Sequence, residues 1–220
     1  MSKRKLIVIG GGEHARVVME AARSCPDQWI VLGYCDLKPV PETEQRLDIP
    51  WLGNDASALR VHRQEAWFVL GVGCVGVNTG RAEIVTRFAA DTRWGTIVHA
   101  AATVSPTATV GLGAVVLAGA VVNTGAVLGD HVIVNTGAII EHDVCLGPFV
   151  HIGPAAALGG GAALGRGSYL GLGARVRDHI QVGVNVTVGM GAAVIAPVPD
   201  GTTVVGIPAK PLRSGYVDNP

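Results

Sequence analysis

The chain has 220 residues, of which 49% are hydrophobic and 15% charged, and its formal net charge is zero. This hydrophobic content excludes a disordered chain. Because the net charge is zero, the chain has no overall positive charge that would attract nucleic acid or anionic membranes. No apolar run is long enough to span a bilayer and no secretory segment precedes the first strand, so we expect a cytoplasmic protein. Its four cysteines show no CxxC spacing and are expected to be reduced thiols: Cys25, Cys35, Cys74 and Cys145.

The first 95 residues carry most of the charge and have the pattern of a small α/β domain. Of the 34 charged residues, 23 lie in residues 1–96. Short apolar runs alternate with segments of helical spacing, which is the element order of a parallel sheet. The predicted elements are a strand, glycine turn and helix in 5–25, a strand in 29–36, a helix in 55–61, a strand in 67–73, and a helix in 78–90 with Asn78 and Thr79 as potential caps. We therefore predict a Rossmann-like half domain over residues 1–95.

The glycine turn after the first strand is a candidate nucleotide site. Gly10, Gly12 and Ala15 fit the G-x-G-x-x-G/A dinucleotide pattern, and Asp36 follows at the distance of a ribose-binding acid. Such turns also occur in α/β domains that bind no nucleotide. Fewer than about 100 residues supply only one mononucleotide-binding half, which favours a nucleotide sugar over NAD. Its diphosphate is expected at the N-terminus of the helix, within reach of His14.

The second half of the chain is a hexapeptide repeat. From Val98 to Val194 an aliphatic residue stands at every sixth position, with small residues and many of the 31 glycines between them. A period of six fits neither a helix nor an alternating strand, but it fits a β-solenoid with three flat faces. Each coil then takes 18 residues, and the stack is a prism about 25 Å long. We predict this solenoid over residues 96–198, followed by a C-terminal tail over 199–220.

Four motifs together resemble the bacterial nucleotide-activated amino-sugar N-acetyltransferases, which include the bacillosamine, perosamine and sialic-acid acetyltransferase-like enzymes. They are IGGGEHA at 9–15, NTGAIIEHD at 135–143, FVHIG at 149–153 and VGIPAK at 205–210. The resemblance spans the whole chain. It implies a left-handed parallel β-helix and an acetyl-CoA-dependent enzyme. It also implies a homotrimer whose active sites lie between subunits.

The resemblance further implies the reaction and its residues. The expected reaction acetylates the 4-amino group of a nucleotide-linked 4-amino-4,6-dideoxy sugar, with GDP-perosamine slightly ahead of a UDP-linked sugar. His142 corresponds to the catalytic base, and Asp143 to the acid that orients it, although relatives often carry Glu there. The remaining matches place the substrate at Gly12, Glu13, His14, Asp36, Gly73 and Asn135, and acetyl-CoA at His151, Leu172 and Met190.

The repeat also predicts where these side chains point. Residues 18 apart stack on adjacent coils, so His142 lies between Thr124 and Gly160, whose small size leaves room for a substrate. His151 is half a coil further on, so it is expected to face away from His142 and towards a neighbouring chain. Other residues of the prism are given no catalytic role. Cys145 is expected to be packed rather than nucleophilic, and Glu141 is left unassigned. His131 and His179 are expected to be solvated, and four basic residues are candidates for the phosphates of coenzyme A or for solubility alone: Arg166, Arg175, Arg177 and Lys210.

Three alternatives to an N-acetyltransferase remain open. A sugar O-acetyltransferase of the same fold would use the same histidine base. A γ-carbonic-anhydrase-like protein would hold zinc through three histidines, two of them five residues apart, and this chain has no such pair. We therefore expect no metal. A non-catalytic scaffold would leave both the nucleotide half and the charged triplet at 141–143 unexplained.

Overall fold

A computed structural model describes residues 3–77, 79–88 and 91–212. The described N-terminal part is a three-stranded parallel sheet in the order β2-β1-β3 with four helices. Its strands are β1 (Arg4–Ile9), β2 (Trp29–Cys35) and β3 (Ala66–Leu70), and its helices are α1 (Glu13–Arg23), α2 (Pro41–Leu47), α3 (Asp55–His62) and α4 (Thr79–Thr86). The strands are buried and apolar because helices and prism cover the sheet on both sides.

Helix α2 is absent from the sequence prediction, although its end signals are visible. Pro41 stands at the start, Glu42 and Glu44 fill the first turn, and the helix ends at Asp48, whose φ of 51° is left-handed. Acidic residues near the N-terminus and a left-handed cap are the expected end signals of a helix. Helix α4 is shorter than predicted; the proposed cap Asn78 and residues 89–90 lie outside the described residues.

The described repeat region forms a three-faced prism of two-residue strands. Face 1 consists of β4 (Ile97–Val98), β7 (Val115–Val116), β10 (Ile133–Val134), β13 (His151–Ile152), β16 (Tyr169–Leu170), β19 (Thr187–Val188), β21 (Thr203–Val205) and β22 (Lys210–Pro211). Face 2 consists of β5 (Thr103–Val104), β8 (Val121–Val122), β11 (Ile139–Ile140), β14 (Ala157–Leu158), β17 (Arg175–Val176) and β20 (Ala193–Val194). Face 3 consists of β6 (Thr109–Val110), β9 (Val127–Leu128), β12 (Cys145–Leu146), β15 (Ala163–Leu164) and β18 (Gln181–Val182).

The 18-residue register predicted from the repeat is observed. Ile133 pairs with His151 and then Tyr169, all in parallel, and the second residue of each two-residue strand from β7 to β20 belongs to a continuous aliphatic core. At the corners, the third residue after many inward aliphatics has a left-handed φ, for example 68° at Gly125 and 53° at Asn185. Glycine and asparagine adopt this conformation most readily, which explains the spacing of the glycines.

The described part of the predicted tail extends the prism instead of leaving it. Strand β21 pairs in parallel with β19, and β22 folds back antiparallel on β21. Lys210 therefore lies on a sheet edge, while residues 213–220 are outside the described residues.

The N-terminal part packs against face 1. Ile97, Val115 and Leu117 of the prism share one buried cluster with α1 and β1. Arg81 of α4 is only 1% exposed and donates to the carbonyl oxygens of His131 (2.6 Å) and Phe149 (3.4 Å). These contacts cross the predicted domain boundary, so the two parts are joined by a well-packed seam.

This seam corrects one prediction from the sequence. His131 is 4% exposed rather than solvated, because the N-terminal part covers it and its ring stacks on Phe149 with centroids 5.1 Å apart. Burial lowers the pKa of His131 to about 4, with a further contribution from Arg81. His179, which was also expected to be solvated, is exposed.

Among the described residues, no helix combines the length and apolar character that a membrane crossing requires.

Candidate active site

A cavity of about 510 Å³ lies where the glycine turn faces the prism. It collects most of the residues predicted for the nucleotide sugar and one predicted for acetyl-CoA. Its lining is Gly10, Gly12, Glu13, His14, Asp36, Gly71, Val72, Gly73, Cys74, Val75 and His151. A further cavity of about 570 Å³ lies around residues 59–65 and Arg87 and contains none of the predicted site residues.

Asp36 holds the glycine turn in place. Its carboxylate accepts hydrogen bonds from the backbone N–H of Gly11 at 2.8 Å and of Leu37 at 2.6 Å. Gly10 has a φ of 99°, and a Cβ on Gly11 would lie 2.7 Å from a ring carbon of Tyr34. Each oxygen of Asp36 keeps a second acceptor position, so the carboxylate can pin the turn and still accept from a sugar hydroxyl.

Gly12 is the open end of this turn. It forms the N-cap of α1 with a φ of −76°, and no described heavy atom lies within 4 Å of a Cβ built on it. The first N–H groups of a helix have no intrahelical partner, and the open space at Gly12 lets a diphosphate approach this end of α1. Glu13 is exposed at the same rim.

His14 lines the cavity with a half-buried side chain. Within the described residues, its Nε2 is buried and has no hydrogen-bond partner. Burial lowers the pKa of His14 to about 4, helped by the charge of Arg81, so the imidazole is neutral at physiological pH. Gly73 makes room for this ring, because a Cβ there would lie 3.1 Å from His14 Cγ. An unpartnered buried nitrogen is costly in the free protein, which makes this imidazole a candidate ligand contact.

His151 lies beside His14 and not on an outer edge of the prism. It is 6% exposed, and its ring centroid is 6.1 Å from that of His14. Its Nδ1 donates to the carbonyl oxygen of Cys74 at 2.8 Å, and its Nε2 then accepts from the amide of Asn135 at 3.3 Å. Burial lowers its pKa to about 3. The expectation that His151 faces a neighbouring chain is therefore wrong: the N-terminal part of its own chain covers it.

His142 and Asp143 form a second site at the corner between faces 2 and 3. His142 Nδ1 lies 3.0 Å from Asp143 Oδ2, and both side chains are well exposed. A carboxylate can only accept, so Nδ1 carries a proton, and in the neutral imidazole the lone pair is on Nε2. The hydrogen bond to Asp143 raises the pKa of His142, and the charges of Asp143 and Glu141 add to this. The Asp143 side chain is therefore long enough to reach the imidazole.

Backbone geometry directs Asp143 towards the ring. Its φ of 59° is left-handed, and its N–H donates to the carbonyl oxygen of Thr124 on the preceding coil. Gly125 lies directly beneath, and a side chain there would collide with the Asp143 carboxylate. Aspartate tolerates this conformation better than most residues, so the corner is compatible with an acid at this position.

Glu141 and Gly160 complete the surroundings of His142: Gly160 was placed there by the coil period, whereas Glu141 was left unassigned. Glu141 Oε2 accepts from Asn123 Nδ2 at 3.1 Å and from the His142 N–H at 3.3 Å, so it fixes the backbone before the imidazole. A Cβ on Gly160 would lie 2.5 Å from His142 Cε1. Asn123 stands 18 residues before Glu141, so the coil period could also have identified this partner of Glu141.

The two sites are on different sides of one chain. The cavity lies against face 1, whereas His142 lies at the corner between faces 2 and 3, across the aliphatic core. Leu172 and Met190 stack on adjacent coils at the corner between faces 1 and 2, where they are 55% and 80% exposed. Within one chain, the residues predicted to bind the nucleotide therefore lie together with His151 in the cavity. His142 and Asp143 lie together at a second, distant position.

All four cysteines are free. Cys145 is exposed in the single chain, contrary to the expectation that it is packed. In the described residues, no group of three or more His, Cys, Asp or Glu side chains is arranged to hold a metal ion. The expected absence of metal stays a prediction that a zinc measurement on purified protein tests.

Known proteins match both parts of the chain. The PglD N-terminal domain family matches residues 5–88. The acetyltransferase domain of PglB from Neisseria gonorrhoeae FA1090, solved with acetyl coenzyme A, is 38% identical, with 96% of this chain and 100% of that chain covered and a TM-score of 0.86. PerB from Caulobacter crescentus, solved with CoA and GDP-perosamine, is 32% identical, with 96% and 98% covered and a TM-score of 0.85. The GDP-perosamine N-acetyltransferase of that organism, solved as a histidine-to-alanine mutant, gives 31% identity, the same coverage and a TM-score of 0.84. No curated protein sequence matches significantly.

The left-handed parallel β-helix and these matches define an acetyl-CoA-dependent N-acetyltransferase. The chain belongs to the nucleotide-sugar N-acetyltransferase family that contains the PglB acetyltransferase domain and PerB. The fold, the enzyme class and the co-substrate acetyl-CoA predicted from the motifs are thereby confirmed.

Proposed function

We propose that the enzyme acetylates the 4-amino group of a GDP-linked 4-amino-4,6-dideoxy sugar, with His142 as the general base. The observation that carries this proposal is the His142–Asp143 contact at 3.0 Å, which assigns the proton of the neutral ring to Nδ1 and leaves the lone pair on Nε2. The complex of PerB with CoA and GDP-perosamine supports this class of acceptor.

The reaction needs a base but no covalent enzyme intermediate. The sugar amine attacks the carbonyl carbon of the acetyl thioester and gives its proton to His142 Nε2. The tetrahedral oxyanion, held by a backbone N–H of a coil, re-forms the carbonyl as the C–S bond breaks. The imidazolium then returns the proton to the thiolate of coenzyme A. Asp143 stabilises the imidazolium in between and keeps the correct nitrogen free.

We further propose that each active site combines two copies of the chain. The cavity with His14 and His151 would hold the nucleotide sugar, and His142 of an adjacent copy would reach its amine. Support comes from the separation of the two sites by the prism core and from the apolar side chains that faces 2 and 3 expose, Ile139 at 41% and Val127 at 45%. Acetyl-CoA would then lie near Leu172 and Met190. A closed homotrimer satisfies this geometry.

In this arrangement the two parts of the chain divide the work. Residues 1–95 would bind the nucleotide through Gly12, Glu13, Asp36 and the first turn of α1, and residues 96–198 would carry the transfer chemistry. Asn135 is a link between them, because it reaches from the prism to His151 at the cavity. His14 Nε2 would find its missing partner in the diphosphate or the sugar.

The test is release of coenzyme A thiol from acetyl-CoA with GDP-, UDP- and dTDP-linked 4-amino sugars as acceptors. We expect turnover with a GDP-linked sugar, and a loss of about 100- to 10,000-fold in kcat for His142→Asn. The matched control is His179→Asn, since His179 is exposed and has a left-handed φ of 57° that asparagine tolerates. Turnover with no amino sugar, or full activity of His142→Asn, would contradict the proposal.

A further inference from the structure

A smaller cavity continues the nucleotide cavity on the far side of Asp36. Its volume is about 250 Å³, and it shares Gly10, Asp36 and Val72 with the larger one. Its full lining is Ile9, Gly10, Cys35, Asp36, Leu37, Asp55, Val72, Ile84 and Arg87. It therefore lies at the carboxyl ends of β1 and β2, where parallel α/β sheets bind their ligands.

The position of this cavity fits the base of a nucleotide, an inference that rests on the proposed function. With the diphosphate at the first turn of α1 and the sugar beside His14, the base must extend in the other direction, past Asp36. The apolar side chains of Val72 and Ile84 line the cavity there, and flat aromatic ligands favour such surroundings. Asp36 lies between the two cavities and would then lie beside the ribose.

Asp55 and Arg87 are the charged side chains at the far end. Asp55 Oδ2 and Arg87 Nη1 lie 3.7 Å apart, and the Asp55 side chain is only 25% exposed. The same two residues and Leu37 also line a neighbouring cavity of about 290 Å³, so they form the rim between the two spaces. Asn54 accepts from the Ser57 N–H and thereby fixes the start of α3, which positions Asp55.

Asp55 also lies close to the end of β2. Burial raises the pKa of the Cys35 thiol, and the charge of Asp55 and a hydrogen bond to it contribute in the same direction. Asp55 and Cys35 line the same cavity, so Asp55 lies beside the carboxyl end of β2.

We propose that Asp55 and Arg87 read the nucleotide base and select guanine. Guanine presents an acceptor, O6, followed by two donors, N1–H and the N2 amine. An arginine can donate to O6, and a carboxylate can accept from both donors at once. Uracil and thymine replace the second donor with an acceptor, O2, which faces the second carboxylate oxygen unfavourably. Adenine presents an unprotonated N1 and is repelled in the same way.

This assignment differs from a purely structural role for the ion pair. A pair that only ties α3 to α4 would affect stability and leave the preference for a base unchanged. If Asp55 reads the base, replacement by asparagine changes the preference itself. The carboxamide offers one acceptor and one donor, which suits N3–H and O2 of uracil better than the two donors of guanine.

The experiment measures binding of GDP, IDP and UDP to the full-length enzyme by calorimetry. IDP differs from GDP only in lacking the N2 amine. We expect the wild type to bind GDP about tenfold more tightly than IDP or UDP. In Asp55→Asn the GDP-to-IDP ratio should fall to about one and UDP should gain relative to GDP. The matched control is Glu83→Gln, an exposed acid on α4 outside the cavity lining, which should keep the wild-type ratios.

Equal binding of GDP and IDP by the wild type overturns the proposal, and this result requires no variant. A wild-type ratio retained by Asp55→Asn, with only a lower melting temperature, also overturns it and assigns the pair a structural role. Acetyl transfer is measured in parallel. If transfer proceeds without preference for a base, only the base assignment fails; if no amino sugar is acetylated, the proposed function fails instead.

Discussion

Replacement of Gly160 by alanine tests whether the position of the His142 ring sets the rate. Gly160 stands two residues after inward Leu158, and the other coils from Val98 to Val194 carry a side chain at the equivalent position. The backbone of this corner therefore accepts alanine, as it does at Ala118 and Ala196. The new methyl group, however, would lie 2.5 Å from His142 Cε1 and 3.0 Å from Cδ2.

The expected loss follows from this overlap. Carbon atoms in contact lie about 3.5–4.0 Å apart, so the imidazole must move by roughly 1 Å. A displacement of that size costs about 100-fold in rate when a base must reach a reacting nitrogen. We therefore expect Gly160→Ala to lower kcat about 100-fold while its melting temperature stays close to that of the wild type.

The assay is steady-state thiol release with saturating acetyl-CoA. Gly80→Ala is the control, because no described heavy atom lies within 4 Å of the new methyl group and the residue is in α4, away from His142. The double variant Gly160→Ala/His142→Asn should be no slower than His142→Asn alone, since both changes remove the same function. Full activity of Gly160→Ala, or additive losses in the double variant, would refute the reasoning.

Three further predictions concern charge and stability. Asp143→Asn removes the group that raises the pKa of His142, so the acidic limb of kcat/KM against pH should move to lower pH and the plateau should fall; an unmoved limb contradicts this. Arg81→Met leaves two buried carbonyl oxygens without their donor and should lower the free energy of unfolding by about 2–4 kcal/mol in urea titrations. An unchanged midpoint would contradict a stabilising role of Arg81 in the contact between the two parts of the chain. Burial lowers the pKa of His131 to about 4 and of His151 to about 3, against 6.5 in the unfolded chain. The unfolded state therefore binds more protons, and stability present above pH 6.5 should be lost towards pH 4 by about 1.4 kcal/mol per pH unit per histidine. Melting curves across this range test the loss, and His131→Asn should reduce it by the share of one histidine, because His14 and His151 still titrate.

The prism could be predicted almost completely from the sequence, because its structure repeats over a fixed short distance. A strict period of six places each inward aliphatic, and the 18-residue register then places His142 over Gly160 without further information. The expected exposure of the triplet at 141–143 is confirmed for His142 and Asp143, whereas Glu141 is half-buried.

The burial of His131 and His151 could not be predicted in this way. Both side chains point outward from the prism, and on an isolated solenoid such side chains are exposed to solvent. They are buried because the N-terminal part packs on face 1, where Arg81 and the carbonyl oxygen of Cys74 meet them from 50 and 77 residues away. No local pattern specifies this docking. Helix α2 was missed for a simpler reason, since its seven residues are too short to show a helical period.

The most direct test of the account is complementation between two inactive variants. His142→Asn removes the base and leaves the cavity intact. Gly12→Asp adds a negative charge where the diphosphate is expected, at an N-cap that favours aspartate and has open space, so folding should be preserved. Gly12→Ser, a neutral N-cap residue, is its control.

Co-expression of the two variants should give mixed oligomers. If each site joins the cavity of one copy to His142 of another, random mixing in a symmetric oligomer makes about a quarter of the sites wild-type in both parts. Thiol release at about a quarter of the wild-type rate is the predicted result. Mixed oligomers with no more activity than either variant alone would contradict a site shared between two chains.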